Sequence, residues 1–144
     1  MATSQNLQDY SLFGFLDDDQ VGKVYSMMQH ESYCPGESII REGESNDRIR
    51  FIISGQVAVV KENIILSEFS EGDAFGEIEV LDTLPSEATI KALTATEVMS
   101  LTHQCLKQIA GDDLKTFSII LMNLARDLCR RLRRMDVKFT DRWE

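Results

Sequence analysis

The stretch that decides the fold covers residues 72–91 and reads GDAFGEIEVLDTLPSEATIK. It begins with a turn of the form Gly-Asp-x-Phe-Gly-Glu, in which Gly72 occupies a position that favours positive φ. It ends with Pro-x-x-Ala-Thr, which starts at Pro85 and leads into residues 88–93, a run typical of a β-strand. A glycine turn and, after it, a strand are therefore expected in this stretch.

Short strand-like segments extend outward from this stretch, over residues 31 to about 101. They are rich in Val, Ile and Phe and are separated by glycine turns. The predicted strands are 38–41, 49–53, 56–61, 64–69, 88–93 and 97–101. The turn glycines that we expect to adopt positive φ are Gly36, Gly43, Gly55 and Gly72. Many short strands with regular turns indicate a β-sandwich or a β-barrel.

Helical patterns lie on both sides of the strands. Residues 17–30 predict a helix whose N-cap is Asp17, Asp18 or Asp19. The apolar residues before it suggest a short docked helix and are Leu7, Tyr10, Leu12, Phe13, Phe15 and Leu16. Residues 102–110 predict a short helix that ends at Gly111. Asp112 and Asp113 then begin a long helix that reaches at least Met135.

The long helix carries a narrow apolar seam, in which the steps between residues are three or four positions. Its members are Phe117, Leu121, Leu124, Leu128, Leu132 and Met135. Such a seam suits pairing with another helix, most simply the same helix of a second copy. The sequence thus predicts a protein partner, with a homodimer as one form of it.

Composition narrows the class of protein. The 144 residues suffice for one domain, and the net charge is −9. Residues 1–104 hold 6 Lys and Arg against 18 Asp and Glu, so this acidic part would repel nucleic acid. No apolar run is long enough to span a membrane, and the first residues do not resemble a signal peptide. Three widely spaced cysteines favour reduced thiols in a cytoplasm.

The order of helix, β-roll, short helix and long helix over residues 11–136 resembles the cyclic nucleotide-binding domain family. Residues 72–91 resemble the phosphate-binding cassette of that family, and three further phrases match in the same order, at residues 33–40, 42–44 and 51–57. The resemblance implies an α+β fold in which a jelly-roll β-roll (about residues 31–101) is flanked by an N-terminal helix and C-terminal helices (about 102–136). It implies one domain over 1–144, with no DNA-binding domain.

The resemblance also implies roles for individual residues. The family cassette corresponds here to Gly76, Glu77, Ile78, Glu79, Ser86, Glu87, Ala88 and Thr89. Gly76 would let the backbone approach the ligand, Glu77 would bind a ribose hydroxyl, and Thr89 with the backbone at Ala88 would complete the cradle. In the family the terminal helix closes over the base as a lid, a role that falls here to Asn123, Arg126 and Arg130.

Three departures from the family pattern oppose phosphate binding. The family has an Arg directly after the Pro, where this chain has Ser86, so the charge-assisted forked bonds to the phosphate are lost. Glu87 and Glu79 add two negative charges close to the phosphate position, and Glu79 also adds bulk. We therefore predict that cAMP and cGMP do not bind in the usual mode. The candidate replacements for the missing cation are Arg41, Arg48, Arg50 and Lys91.

Other kinds of site have weaker support. His30 and His103 lie far apart with no matching carboxylate pattern, so we predict no metal and no cofactor. No nucleophile–base pair is recognisable, which argues against an enzyme. The arginines between residues 126 and 134 occupy several helix faces, which favours a solvated or partner-facing surface over nucleic-acid binding.

Two functions remain open from the sequence. The first is a non-enzymatic regulatory module with a degenerate cassette, acting through protein contacts. The alternative is a sensor that binds a cyclic nucleotide or another small molecule in an altered mode, with a cation from the strands or the last helix.

Overall fold

Two four-stranded antiparallel sheets form a β-roll with helices on both sides of it in sequence. The structure is a computed structural model and describes residues 11–143. One sheet has the strand order β1-β8-β3-β6 and the other β2-β7-β4-β5. The strands are β1 (Gln29–Tyr33), β2 (Ser38–Ile40), β3 (Arg48–Ser54), β4 (Gln56–Lys61), β5 (Ile64–Ser70), β6 (Ala74–Phe75), β7 (Thr89–Ala92) and β8 (Thr96–Thr102).

The helices are α1 (Asp18–Ser26), α2 (Glu77–Asp82), α3 (His103–Asp112) and α4 (Leu114–Trp143), with a 3-10 turn at Ser11–Phe13. Asp17 is the N-cap of α1 in a capping box: its carboxylate accepts from the Gln20 backbone N–H, and the Gln20 side-chain oxygen accepts from the Asp17 backbone N–H. Leu12, Phe13 and Leu16 of the predicted docked segment are buried, whereas Phe15 is exposed. Leu7 and Tyr10 lie outside the described residues.

Alternation along β3 and β8 divides the core into two layers. Ile49 and Phe51 of β3 face the helices and pack with Phe13, Val24 and Ile120. Ile52 of β3 and Val98 of β8 belong to the second cluster, which fills the space between the two sheets with Val57, Phe75 and Ile90. A one-residue slip of β3 would exchange these two sets, so the apolar pattern fixes its register.

The α+β class and the β-roll are confirmed, and the predicted strands are present with each end shifted by at most one residue. The four turn glycines predicted to have positive φ do so, with values from 85° to 99°. The sequence did not predict β1 or β6. The helix prediction for 17–30 is too long, since α1 ends at Ser26 and residues 29–33 pair with β8 instead.

The boundary between α3 and α4 also differs from the prediction. Gly111 lies inside α3, which continues to Asp112. Asp113 alone separates the helices, and its carboxylate accepts hydrogen bonds from the Thr116 backbone N–H at 3.2 Å and hydroxyl at 2.6 Å. This carboxylate caps the start of α4, and α3 accordingly ends two residues later than predicted, at Asp112.

Candidate functional site

The cassette begins where β6 passes into α2. Gly76 separates them with φ of 86°, and an added Cβ would lie 2.8 Å from Asn46 Nδ2 and 2.9 Å from the Arg48 carbonyl oxygen. Only glycine fits there. The Asn46 amide donates to the carbonyl oxygens of Arg48 (2.8 Å) and Gly76 (2.9 Å), so this turn is tied to the start of β3.

Glu77 follows Gly76 and is fully buried. Its Oε1 accepts a hydrogen bond from Arg131 of α4, while Oε2 has no hydrogen-bond partner among the described residues. Burial raises the pKa of Glu77, and the nearby Arg131 guanidinium offsets part of that rise. The charged form of this carboxylate thus depends on the arginine.

Ser86 is buried in the second part of the cassette and has its hydrogen bonds made. Its hydroxyl donates to the Ala88 carbonyl oxygen at 2.7 Å, and its backbone N–H donates to the Glu44 carbonyl oxygen at 2.9 Å. The backbone N–H of Gly43 donates to the Ser86 carbonyl oxygen at 2.8 Å. The loop is thereby fixed against the turn at residues 42–45, without a cation.

The other cassette residues differ in exposure. Glu79 is half-buried; burial raises its pKa, and a backbone hydrogen bond at Glu79 offsets part of that rise. Glu87 and Ile78 are exposed, and Ala88 is half-buried. Thr89 accepts a hydrogen bond from the Glu42 backbone N–H through its hydroxyl at 3.1 Å.

Arg131 is the cation of this site, and the sequence did not single it out. Its guanidinium donates to Glu77 and to the Ala74 carbonyl oxygen, and it lies 4.5 Å from the centre of the Phe69 ring. Asp127, one turn earlier in α4, approaches it at 3.8 Å. In the sequence, Arg131 is one of several arginines between residues 126 and 134, and no neighbouring residue distinguishes it from the others.

The predicted lid residues lie in two places. Asn123 donates to the carbonyl oxygens of Leu12 (3.0 Å) and Gly14 (2.8 Å), and Arg126 bonds to Asn123 at 3.1 Å and stacks on Phe15. These two residues fasten α4 to the N-terminal segment instead of contacting the cassette. Arg130 pairs with Asp127 at 2.8 Å and lines a cavity of about 340 Å³ beside Phe69. The gating role of the three stays a prediction.

The basic strand residues Arg48 and Arg50 are held by partners outside the cassette, and Arg48 bonds to Glu31 at 3.0 Å and to Asp47 at 2.9 Å. Arg50 lies on the inner face of β3 and bonds to Glu31 at 2.8 Å and Asn46 at 3.0 Å. Burial alone would raise the pKa of Glu31, but hydrogen bonds from Tyr33, Arg50 and Ser100 outweigh it and lower the pKa to about 2. These hydrogen bonds hold Arg50 in a network inside the roll. Arg41 and Lys91 are exposed.

Replacing Glu31 with Gln is expected to lower the free energy of unfolding at pH 7 by about 3 kcal/mol. The pKa of this carboxyl falls from 4.5 to about 2 on folding, so its charged form stabilises the fold above pH 4.5. That contribution is lost as the pH falls through about 2. Urea unfolding at pH 7 and pH 3 should show the difference between wild type and variant shrinking by more than half.

A matched control is Glu97→Gln, whose carboxylate pairs with His30 at 3.5 Å on the surface. It should change the stability by less than about 0.5 kcal/mol at either pH. If Glu31→Gln lowered the free energy of unfolding equally at pH 7 and pH 3, this would contradict the conclusion that the charge of Glu31 stabilises the fold.

The seam of α4 is divided between the roll and the surface. Leu124 is buried against the roll and Leu128 is half-buried, whereas Leu121, Leu132 and Met135 are 41%, 60% and 64% exposed. The outward residues repeat at seven-residue spacing from Leu121 through Leu128 to Met135, with Leu132 between the last two. The C-terminal half of the seam thus faces away from the roll.

Among the described residues, no group of three or more His, Cys, Asp or Glu side chains is placed to hold a metal. The three cysteines are free, with Cys34 and Cys129 exposed. None of the described helices is both long and apolar enough to cross a bilayer.

Comparison with known proteins gives the family. The cyclic nucleotide-binding domain model matches residues 30–113. The cAMP-dependent protein kinase regulatory subunit of Debaryomyces hansenii is 32% identical over 106 residues, which cover 73% of this chain and 24% of that protein. The chain spans about a quarter of the length of the curated relatives it matches.

Solved structures agree with the fold. A cyclic nucleotide-binding domain from Methylobacillus flagellatus has a TM-score of 0.86 at 23% identity and covers 94% of this chain and 79% of that one. The regulatory subunit of a cAMP-independent protein kinase A from Trypanosoma brucei has a TM-score of 0.74 at 25% identity, over 85% of this chain and 43% of that one. With its β-roll, its cassette turn and its matched family model, the chain belongs to the cyclic nucleotide-binding domain family.

Proposed function

We propose that this chain is a non-enzymatic regulatory module that does not hold cAMP or cGMP in the usual mode and acts through protein contacts. The observation that carries the proposal is the cassette loop around Ser86. Its hydroxyl already donates to the Ala88 carbonyl oxygen, so it has no hydrogen left to donate to a phosphate. A phosphate placed there would lack the arginine that the family carries at this position and would meet the half-buried Glu79.

The expected loss of binding free energy supports the proposal that the cassette does not hold cAMP or cGMP in the usual mode. Charge-assisted hydrogen bonds are roughly twice as strong as neutral ones, and a like charge nearby costs more in a partly buried site than in water. Micromolar binding corresponds to only about 8 kcal/mol in total. Removing the cation and adding Glu79 is expected to cost several kcal/mol, on the order of half of that free energy.

The trypanosome relative gives independent support. A variant of that cAMP-independent regulatory subunit, bound to cAMP in its A site, carries a Glu to Ala, seven positions later a Thr to Arg, and next to it a Val to Ala. Glu79, Ser86 and Glu87 have the same spacing in this chain, with a glutamate at the first position and a hydroxyl residue at the second. The likeness in spacing supports a cassette that does not hold cAMP in the usual mode.

Calorimetry on the purified chain tests the proposal. We expect no binding heat for cAMP or cGMP up to about 1 mM, which corresponds to a binding free energy weaker than about 4 kcal/mol. The titrations need a cAMP-binding member of the family as a positive control under the same conditions. Micromolar affinity for either nucleotide, with chemical-shift changes at residues 76–89, would contradict the proposal.

The alternative is a sensor that binds a small molecule in an altered mode. The buried Oε2 of Glu77, which has no hydrogen-bond partner among the described residues, favours it because such an oxygen can accept a ligand donor. The cavity beside Phe69 and Arg130 adjoins the cassette. A panel of cyclic mono- and dinucleotides, followed by chemical shifts at Glu77, separates this function from the first one.

Protein contact would use the outward part of the α4 seam, and a symmetric dimer is the simplest form. Leu121, Leu132 and Met135 are exposed there at helical spacing that suits a paired helix. The cytoplasmic location predicted from the free cysteines stays a prediction.

A further inference from the structure

The cassette of this chain already holds a charged group, the guanidinium of Arg131. We propose that Arg131 acts as a built-in ligand of the cassette and holds α4 against the β-roll when no nucleotide is bound. This inference rests on the proposed function, because it explains what occupies a cassette that does not hold a cyclic phosphate. It concerns how the same site is regulated.

The groups around the guanidinium are those that a cation requires. Glu77 offers a fully buried carboxylate, Ala74 a backbone carbonyl oxygen and Phe69 the face of an aromatic ring at 4.5 Å. A planar guanidinium has five N–H donors and can satisfy the first two while it stacks on the third. The groups that touch the guanidinium are two acceptors and an electron-rich ring face, none of which can donate a hydrogen bond to a phosphate. This part of the cassette therefore recognises a cation.

The contact is also positioned to control the helix. Arg131 lies beyond the last residue of α4 that is fully buried against the roll, Leu124, and the seam residues around it face outward. Its side chain is 19% exposed although its immediate neighbours in sequence are far more exposed. We infer that this single side chain docks the C-terminal half of α4, and that any molecule entering the cassette at Glu77 must first displace it.

Arg130 provides a matched control. It precedes Arg131 in the same helix and carries the same charge, but its side chain is 51% exposed and it pairs with Asp127 on the surface of α4. Arg131→Ala and Arg130→Ala remove the same group from adjacent positions. Only the first removes the contact with the cassette.

Hydrogen exchange of the α4 amides tests the proposal. In Arg131→Ala, amides of residues 127–137 should exchange at least 10-fold faster than in wild type, while the amides of β3 and β8 stay protected. Arg130→Ala should stay within about 2-fold of wild type. Glu77→Gln, which removes the acceptor charge with little change of shape, should reproduce the Arg131→Ala result.

Chemical rescue distinguishes a ligand-like contact from a merely structural one. Methylguanidinium at about 10 mM, added to Arg131→Ala, should shift the resonances of Glu77 and Phe69, whereas methylammonium at the same concentration should not. Unchanged α4 exchange in Arg131→Ala, or a lack of response to methylguanidinium, would overturn the proposal. Wild-type binding of cAMP together with a positive rescue would contradict the proposed function alone.

Discussion

A chain that carries Ser86→Arg, Glu79→Ala and Glu87→Ala is expected to bind cAMP at micromolar concentration, at least 100-fold more tightly than the wild type. The new arginine supplies forked, charge-assisted hydrogen bonds to the phosphate, and the alanines remove two nearby anions. Gly76 keeps the positive φ that the turn from β6 into α2 requires. A gain of 100-fold corresponds to about 2.7 kcal/mol, which is within the range of one cation gained and one buried anion removed.

The three substitutions are expected to contribute unequally to this gain in cAMP affinity. Glu79 is half-buried, so its charge is screened less than that of Glu87, which is exposed to solvent. Glu87→Ala alone should therefore leave cAMP binding undetectable and serves as the control. Adding Arg131→Ala to the triple variant should raise the affinity further, because the ligand no longer competes with Arg131 for Glu77.

Isothermal calorimetry measures each of these variants, and circular dichroism verifies that the fold is intact. A folded triple variant that shows no cAMP binding, with or without Arg131, would mean that the cassette is obstructed by something other than charge. A triple variant that binds equally well with and without Arg131 would instead contradict competition at Glu77.

The β-roll was predictable because its signals are local. Val-rich and Ile-rich runs between glycine turns gave β3, β4, β5 and β8 nearly to the residue, and the turn glycines have the positive φ that was expected. β1 escaped prediction since its sequence, Gln29–Tyr33, is polar and follows a helical pattern. Its strand conformation comes from pairing with β8, which the local sequence does not encode.

The candidate site, too, was predictable only where its signals are local in the sequence. The cassette residues could be named from their order in the chain, because Gly76 and Ser86 sit in recognisable phrases. The partner of Glu77 could not, since Arg131 is 54 residues away and is one of several arginines in α4. Its role depends on the rotation of α4 about its axis, and that rotation is set by packing at Ile120 and Leu124. Arg50 was a candidate cation from the sequence, but its partner Glu31 lies inside the roll and holds it away from the cassette.

The rotation of α4 that directs Arg131 to the cassette also directs the seam outward. Leu128, Leu132 and Met135 follow steps of four and three positions, and the last two are mostly exposed. The flanking arginines are partly neutralised within the helix, because Asp127 lies 2.8 Å from Arg130 and 3.8 Å from Arg131. This pairing reduces the repulsion that two arginine-rich helices would otherwise suffer at close approach.

We therefore expect the wild-type chain to sediment as a dimer at micromolar concentration, and Leu128→Asp with Leu132→Asp to dissociate it. Burying a leucine stabilises by about 2 kcal/mol, so four leucines across a symmetric interface contribute enough that their loss should weaken the dimer at least 1,000-fold. Ile64→Asp is the control, since Ile64 is as exposed as Leu132 but lies on β5. It should leave the dimer intact, and both variants should keep the β-roll folded, because neither affects a fully buried side chain. A wild-type chain that sediments as a monomer throughout the micromolar range would rule out self-association, and the exposed seam would then have to serve a different protein.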